Sequence, residues 1–253
     1  MMTDKFIAAI LFLFGSIFGS FANVCIWRLP REESIVWPPS HCIHCQKKLK
    51  FWHLLPIISW LILRGRCGMC GGKIPVRYPL VELSAGVLFA LIGWQWGLSV
   101  ETLVYCLLSL ALVISIGTDL SHQEIPNQVS LGAAAVLGII ALVTLNWNRL
   151  LGGAILFCLL LLIAVASRGG MGGGDIKLGL AIGLALGWRL ALVAAAAAFF
   201  SGGIIAIFML LRGKKGKALP FGPFLAAGAW IAMFLGDKLI ACYINLSLLF
   251  WTW

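Results

Sequence analysis

Apolar residues in this chain fall in long runs, and the polar and basic positions gather in the connections between them. A helix that crosses a bilayer needs about 20 apolar residues. On that measure the pattern predicts spans at 6–26, 81–97, 103–118, 129–145, 150–167, 176–188, 190–211 and from 224 onward, eight in all. The run from 176 is shorter than the ideal and has to borrow polar flanks. The first run is long, has only Lys5 as a basic start and is followed by no small-x-small cleavage site, so it reads as a retained helix and not a signal peptide. Asp237 and Lys238 interrupt the last run, leaving one long tilted helix or a helix followed by an interfacial segment. The expected fold is an all-α polytopic membrane protein of about eight transmembrane helices. It divides into a first transmembrane helix (1–27), a long polar loop (28–79) and a helix bundle (80–253).

Composition sharpens this picture. Of 253 residues, 61% are hydrophobic and 11% charged, with mean hydropathy +1.01, against about 25% charged residues in an ordinary soluble domain. A soluble globular enzyme is excluded. The net charge of +10 raises nucleic acid as a partner, but basic residues confined to loops are explained more simply by membrane sidedness, and no nucleic-acid partner is expected. Alternate loops hold fifteen and four basic residues; the rich set includes Arg28, Lys47, Arg77, Arg168, Lys177, Arg212, Lys214, Lys215 and Lys217, the poor set Lys5, Arg149, Arg189 and Lys238. The positive-inside rule then places the N-terminus outside and the 28–79 loop in the cytoplasm. Trp94, Trp96, Trp147, Trp188, Trp251 and Trp253 all fall near the outer ends, as an interfacial belt would.

Four of the eight cysteines, Cys25, Cys106, Cys158 and Cys242, lie in apolar runs and read as small hydrophobes. The others form two C-x2-C knuckles, Cys42/Cys45 and Cys67/Cys70, separated by 21 residues, just beyond a usual zinc-ribbon gap of about 15 to 20. Four thiolates on one Zn2+ would hold together a loop too small to build its own core. Dithiol redox chemistry is the competing use, and His41 and His44 are alternative ligands whose ordinary reading is exposed loop histidine. Between the knuckles, the apolar stretch 54–63 contains Pro56 and is too short to span, so an interfacial or re-entrant piece is expected. A span there would put the knuckles on opposite faces and forbid one shared metal.

Only nine acidic residues are present, so a carboxylate beside an apolar run invites a functional explanation. Asp119 ends the third predicted span and Asp175 opens the sixth, after a run of glycines from Gly169 that includes Gly172, Gly173 and Gly174. Topology brings both acids to one membrane face. Paired carboxylates are what aspartic proteolysis needs, one ionised to take a proton from water and one protonated to polarise the scissile carbonyl. Asp175 at a helix N-terminus is expected to be the base, and Asp119 at a helix C-terminus the acid. The glycines let backbone approach Asp175 and leave room for an extended peptide, although a helix-capping Asp after a flexible loop would look the same. Lys177 can pair with a substrate acid or serve as an ordinary positive-inside lysine; Glu124 reads as solvated.

Taken in order, these blocks resemble the bacterial type IV prepilin peptidases, membrane aspartic peptidases of the GxGD kind. The similarity runs from Gly19-Ser20-Phe21-Ala22-Asn23-Val24-Cys25-Ile26-Trp27-Arg28-Leu29-Pro30 through both knuckles to Arg77-Tyr78-Pro79-Leu80-Val81-Glu82. It continues at Asp119 with Ile125-Pro126-Asn127, at Gly172-Gly173-Gly174-Asp175-Ile176-Lys177-Leu178, and at Pro220-Phe221-Gly222-Pro223-Phe224. Ile43 stands where the family often has proline, and Pro75 where it often has serine. The resemblance implies cleavage of the basic leader of type IV prepilins or type II secretion pseudopilins, just after a glycine, at the cytoplasmic face of the bacterial inner membrane, with Asp119 and Asp175 as the catalytic pair. It also implies N-methylation of the new terminus with S-adenosylmethionine, linked to the N-terminal block and cysteine loop. No glycine-rich Rossmann turn marks a pocket for that cofactor, so methyl transfer rests on the resemblance alone. Two other classes stand beside this reading. A transporter would place acids near the midplane of the bilayer, and a membrane thiol oxidoreductase would need the C-x2-C pairs but be indifferent to Asp119.

Overall fold

The computed structural model describes residues 2–168, 170–212 and 219–251. Gly169, Lys214, Lys215, Lys217, Trp253 and the Trp251 side chain, all used above, lie outside the described residues. The elements are α1 (Met2–Arg28), α2 (Ile58–Ile62), α3 (Arg77–Trp96), α4 (Val100–His122), α5 (Asn127–Val143), α6 (Trp147–Ala166), α7 (Gly173–Leu186), α8 (Trp188–Leu211) and α9 (Gly222–Trp251). Two 3-10 turns, Leu29–Arg31 and Phe51–Leu54, complete the regular structure. Among the described residues there is no strand, only two isolated β-bridges.

Six helices, α1, α3, α4, α6, α8 and α9, are long and apolar enough to cross a membrane. The other two predicted spans are shorter: α5 has 17 residues and α7 has 14, the latter about 21 Å of helix against a hydrocarbon core of about 30 Å. The chain cuts α7 short by reversing at Gly187, where φ is +77° and the N–H closes on the Gly183 carbonyl at 2.9 Å. Such a left-handed turn costs glycine nothing. The last helix runs through Asp237 and Lys238 without a break, which removes the alternative of a separate interfacial segment. The apolar stretch 54–63 forms part of a 3-10 turn and the five-residue α2, and does not cross.

The chain forms two compact units, Met1–Thr118 and Asp119–Trp253. In the first, α1 and α3 pack antiparallel along small residues. A Cβ on Gly19 would sit 2.7 Å from the Glu82 backbone, and one on Gly86 2.5 Å from Ser16 Oγ. Helices in lipid gain little from apolar contact with one another, so close backbone approach through small residues holds them together. The second unit uses the same device. Gly152 and Gly183 bring the backbones of α6 and α7 into direct contact, and Gly228 of α9 lies against Ala194 and Ala198 of α8. The outward faces carry exposed Phe6, Leu13, Leu162, Phe200 and Ile207, as a lipid-facing surface requires.

Candidate active site and metal centre

Asp119 sits in the last turns of α4, 6% exposed, and Asp175 in the first turn of α7, 8% exposed. They lie close enough for the Asp119 charge to act on Asp175. The Gly222 N–H donates to Asp119 Oδ2 at 2.7 Å, so the carboxylate lies against the first turn of α9. Asp175 accepts from the Gly172 N–H, and its backbone N–H donates to the Gly172 carbonyl at 3.1 Å.

This arrangement corrects one premise of the acid/base expectation. Asp119 does end α4, but it also faces the N-terminus of α9, whose unpaired N–H groups oppose the effect of the α4 terminus. Both carboxylates therefore face a helix N-terminus, and dipoles no longer tell them apart.

The glycine run works through space, not through dihedral freedom. Gly172 has φ −68° and Gly173 and Gly174 are helical, conformations open to any residue. A Cβ on Gly174, however, would meet Ile125 Cβ at 2.8 Å, and one on Gly172 would lie 3.2 Å from Asp175 Oδ2. Gly173 is exposed, and a Cβ there meets nothing within 4 Å. Lys177 Nζ donates to Asn127 Oδ1 at 2.6 Å, tying α7 to the start of α5. Glu124 is exposed. The residue that sequence reasoning left without a role is Gly222. Its signal was Pro223 after Pro220-Phe221-Gly222, a proline in the first turn of a helix, which announced a helix start but not its neighbour.

The two knuckles fold as copies of one another. Cys42 N–H donates to Lys47 O at 3.0 Å and Gln46 N–H to Cys42 O at 2.9 Å; Cys67 N–H donates to Gly72 O and Gly71 N–H to Cys67 O, both at 2.8 Å. Gln46 and Gly71 hold the matching left-handed position, φ 57° and 72°. Backbone N–H groups of His44 and Met69 point at Cys42 Sγ (3.4 Å) and Cys67 Sγ (3.5 Å). The two turns bring all four sulfurs within 4.8 Å of one another, with Cys42 and Cys70 at 3.9 Å. Tetrahedral Zn–S bonds of about 2.3 Å put sulfurs about 3.8 Å apart, so the cluster fits Zn2+. Cys70 shows what the ion would relieve. The Gly72 N–H favours its thiolate, yet partial desolvation and the sulfurs of Cys45, Cys67 and Cys42 push the thiol up to about 11. The histidines take no part: His41 Nδ1 bonds to Pro39 O at 3.1 Å and His44 Nε2 to Lys73 O at 3.3 Å.

Comparison with known proteins agrees over most of the chain. The model of the bacterial peptidase A24 N-terminal domain matches residues 13–96, and that of the type IV leader peptidase family matches residues 104–207. A prepilin leader peptidase/N-methyltransferase from Bacillus subtilis (strain 168) is 38% identical over 248 residues, covering 95% of this chain and 99% of that protein. Proteins of the same name from Legionella pneumophila (34% over 276 residues, 95% of each chain) and Neisseria gonorrhoeae (32% over 273 residues, 92% and 91%) are also similar. No solved structure matches the chain. Neither the transporter nor the thiol-oxidoreductase reading finds support among these relatives.

Proposed function

The chain belongs to the type IV leader peptidase family, and from that premise we propose that it cleaves the leader of type IV prepilins or pseudopilins, with Asp119 and Asp175 as the catalytic pair. The observation that carries this is the meeting of two buried carboxylates from α4 and α7 at the N-termini of α7 and α9. One carboxylate of such a pair, ionised, takes a proton from the attacking water as it adds to the scissile carbonyl; the other, protonated, donates to the developing oxyanion. That division of labour requires one proton between the two carboxylates. Exposed Gly173 leaves open space beside Asp175 for an unwound peptide, and Lys177 borders it.

We also propose eight crossings. Asp119 near the end of α4 meets Asp175 at the start of α7 and Gly222 at the start of α9. Helices α6 and α8 are each long enough to cross. For α6 to return the chain to Asp175, α5 must carry it over first, and for α8 to return it to Gly222, α7 must do the same. A helix of 14 residues manages this by drawing its polar flanks inward or thinning the bilayer locally. The excess of basic residues on alternate loops supports an N-terminus outside, with the cysteine loop and both aspartates on the cytoplasmic side of the inner membrane. The prepilin's own apolar helix would lie in the same bilayer.

The names of the relatives support a second step on the same substrate, N-methylation of the new terminus with S-adenosylmethionine as methyl donor. Zn2+ held by Cys42, Cys45, Cys67 and Cys70 would be structural, closing all four coordination positions with sulfur. The test is cleavage of a synthetic prepilin by the purified protein in detergent, comparing Asp119→Asn and Asp175→Asn with wild type and weighing the product with and without S-adenosylmethionine. Both variants should stay folded and fail to cleave, and the wild-type product should gain the mass of one methylene. Cleavage by either variant at the wild-type rate would remove the pair from the mechanism.

A further inference from the structure

The first unit holds a partly open cavity of about 200 Å³, bordered by Asn23, His53, Trp60, Tyr78 and Glu82 among others. It is distinct from the aspartate pair and shares no residue with it. Three of its polar groups have unspent capacity. Asn23 is 2% exposed, and its Nδ2 donates to the carbonyls of Tyr78 (3.0 Å) and Gly19 (3.4 Å). Those two acceptors fix which way the amide lies, and Oδ1 is left buried without a partner. Glu82, 8% exposed, accepts from the Ile57 N–H at 2.7 Å and from Ser20. Both donors are neutral, and a carboxylate has about four lone-pair sites, so charge and acceptor capacity both remain. His53 Nδ1, also buried without a partner, borders the same space. Arg28 lines the cavity too; it donates through Nη1 to Ser34 O and through Nη2 to Pro38 O, each at 2.8 Å, two of its five donors.

A carboxylate with open acceptor sites beside a buried orphan acceptor matches a cation that carries N–H donors. A sulfonium has the charge and no donors, so it would leave Asn23 Oδ1 unsatisfied. A metal ion would find one carboxylate where hard cations take about six oxygens. A primary ammonium has both charge and three donors. Size agrees, because pockets for whole drug-sized ligands run from about 300 Å³ upward, and this one has room for a terminal amine with a single side chain.

We propose that this cavity binds a primary ammonium group between the Glu82 carboxylate and Asn23 Oδ1. Resting on the methyl-transfer reading above, the amine belongs either to the newly cut peptide N-terminus or to the amino-acid end of the methyl donor. Glu82 and Asn23 are positioning residues here: they hold the amine in place.

The test uses full-length, zinc-loaded protein in nanodiscs and three probes: a mature pilin peptide with a free N-terminus, the same peptide N-acetylated, and S-adenosylmethionine. Wild type should bind the free-amine peptide about tenfold or more tightly than the acetylated one, the size of one charge-assisted contact. Glu82→Gln keeps an oxygen for the Ile57 N–H and should abolish that preference while leaving prepilin cleavage unchanged; Asn23→Ala should weaken it. If affinity for S-adenosylmethionine falls instead and the peptide preference stays, the ammonium is the donor's and the assigned chemistry stands. If neither affinity changes in variants that still cleave, or if cleavage falls along with binding, the proposal is overturned. Binding is read without turnover, so a wild-type protein that cleaves but never methylates would sink the methyl-transfer reading and leave this one separately decided.

Discussion

Gly222→Ala offers the sharpest probe of the aspartate site, because it separates position from folding. The new methyl would lie 2.8 Å from Asp119 Oδ2 and 3.3 Å from Asp119 Cβ, closer than a carbon and a carboxylate oxygen tolerate. The obstacle is the tip of a side chain, so Asp119 can swing away without moving any helix, and the cost to the fold stays near that of the one bond lost, at most about 3 kcal/mol. What is lost is the 2.7 Å hydrogen bond from the Gly222 N–H. A bond to a charged group contributes about 1.5 to 3 kcal/mol, and each 1.36 kcal/mol of barrier is about tenfold in rate. Displacing the carboxylate should therefore lower kcat for prepilin cleavage by roughly 10- to 150-fold, with KM little changed. The control is Gly203→Ala in α8, where an added Cβ meets nothing within 4 Å; it should cleave like wild type. Kinetics with a fluorogenic prepilin peptide, beside thermal unfolding in the same detergent, would decide the matter. A Gly222→Ala enzyme with normal kcat would show that Asp119 does not act from the position described.

Other expectations follow from the same contacts. Cys67→Ser should lower bound zinc, measured by mass spectrometry of the metal, and destabilise the 28–79 loop, while leaving peptide cleavage by the second unit intact. Stripping zinc by chelation at neutral pH should do the same to wild type, and lost cleavage in either case would mean that the metal supports the peptidase as well. Lys177→Met and Asn127→Ala should each cost about 0.5 to 1.5 kcal/mol of stability and show a coupling energy near the same size in the double variant, because they remove one shared bond. Gly183→Val forces side-chain carbons into the backbone of Gly152. It should cost about 1 to 3 kcal/mol or more, seen as a lower melting temperature and poor recovery from the membrane.

Much of this architecture is written in the chain because lipid imposes a simple grammar. Apolar runs from 6, 81, 103, 150, 190 and 224 became six long helices, since a backbone in hydrocarbon has to satisfy its own hydrogen bonds. The cysteine cluster was legible for a similar reason: a duplicated spacing makes a duplicated turn, down to the left-handed Gln46 and Gly71. Less legible was anything that depended on which helix end abuts which. Asp119 was read from its own helix alone, as a C-terminal residue, whereas its hydrogen-bond partner lies 103 positions away in Gly222. The role of the glycine run was visible as chemistry but not as mechanism; only Ile125 pressed against Gly174 shows that missing side chains matter more there than unusual dihedrals. Asn23 and Glu82 stand in blocks that carry the family resemblance, but nothing in the sequence shows that they border one cavity, since they come from different helices.

The contact between Gly222 and Asp119 also sets an order of assembly. On a ribosome, Asp119 and Asp175 both emerge and enter the membrane before the first turn of α9 exists. Until that turn arrives, the Asp119 carboxylate lacks the N–H that fixes it, and the pair is present in composition but not in geometry. With the two aspartates as the proposed catalytic pair, a nascent chain would carry both through much of its synthesis without a finished hydrolytic centre, and would gain that geometry only as α9 docks.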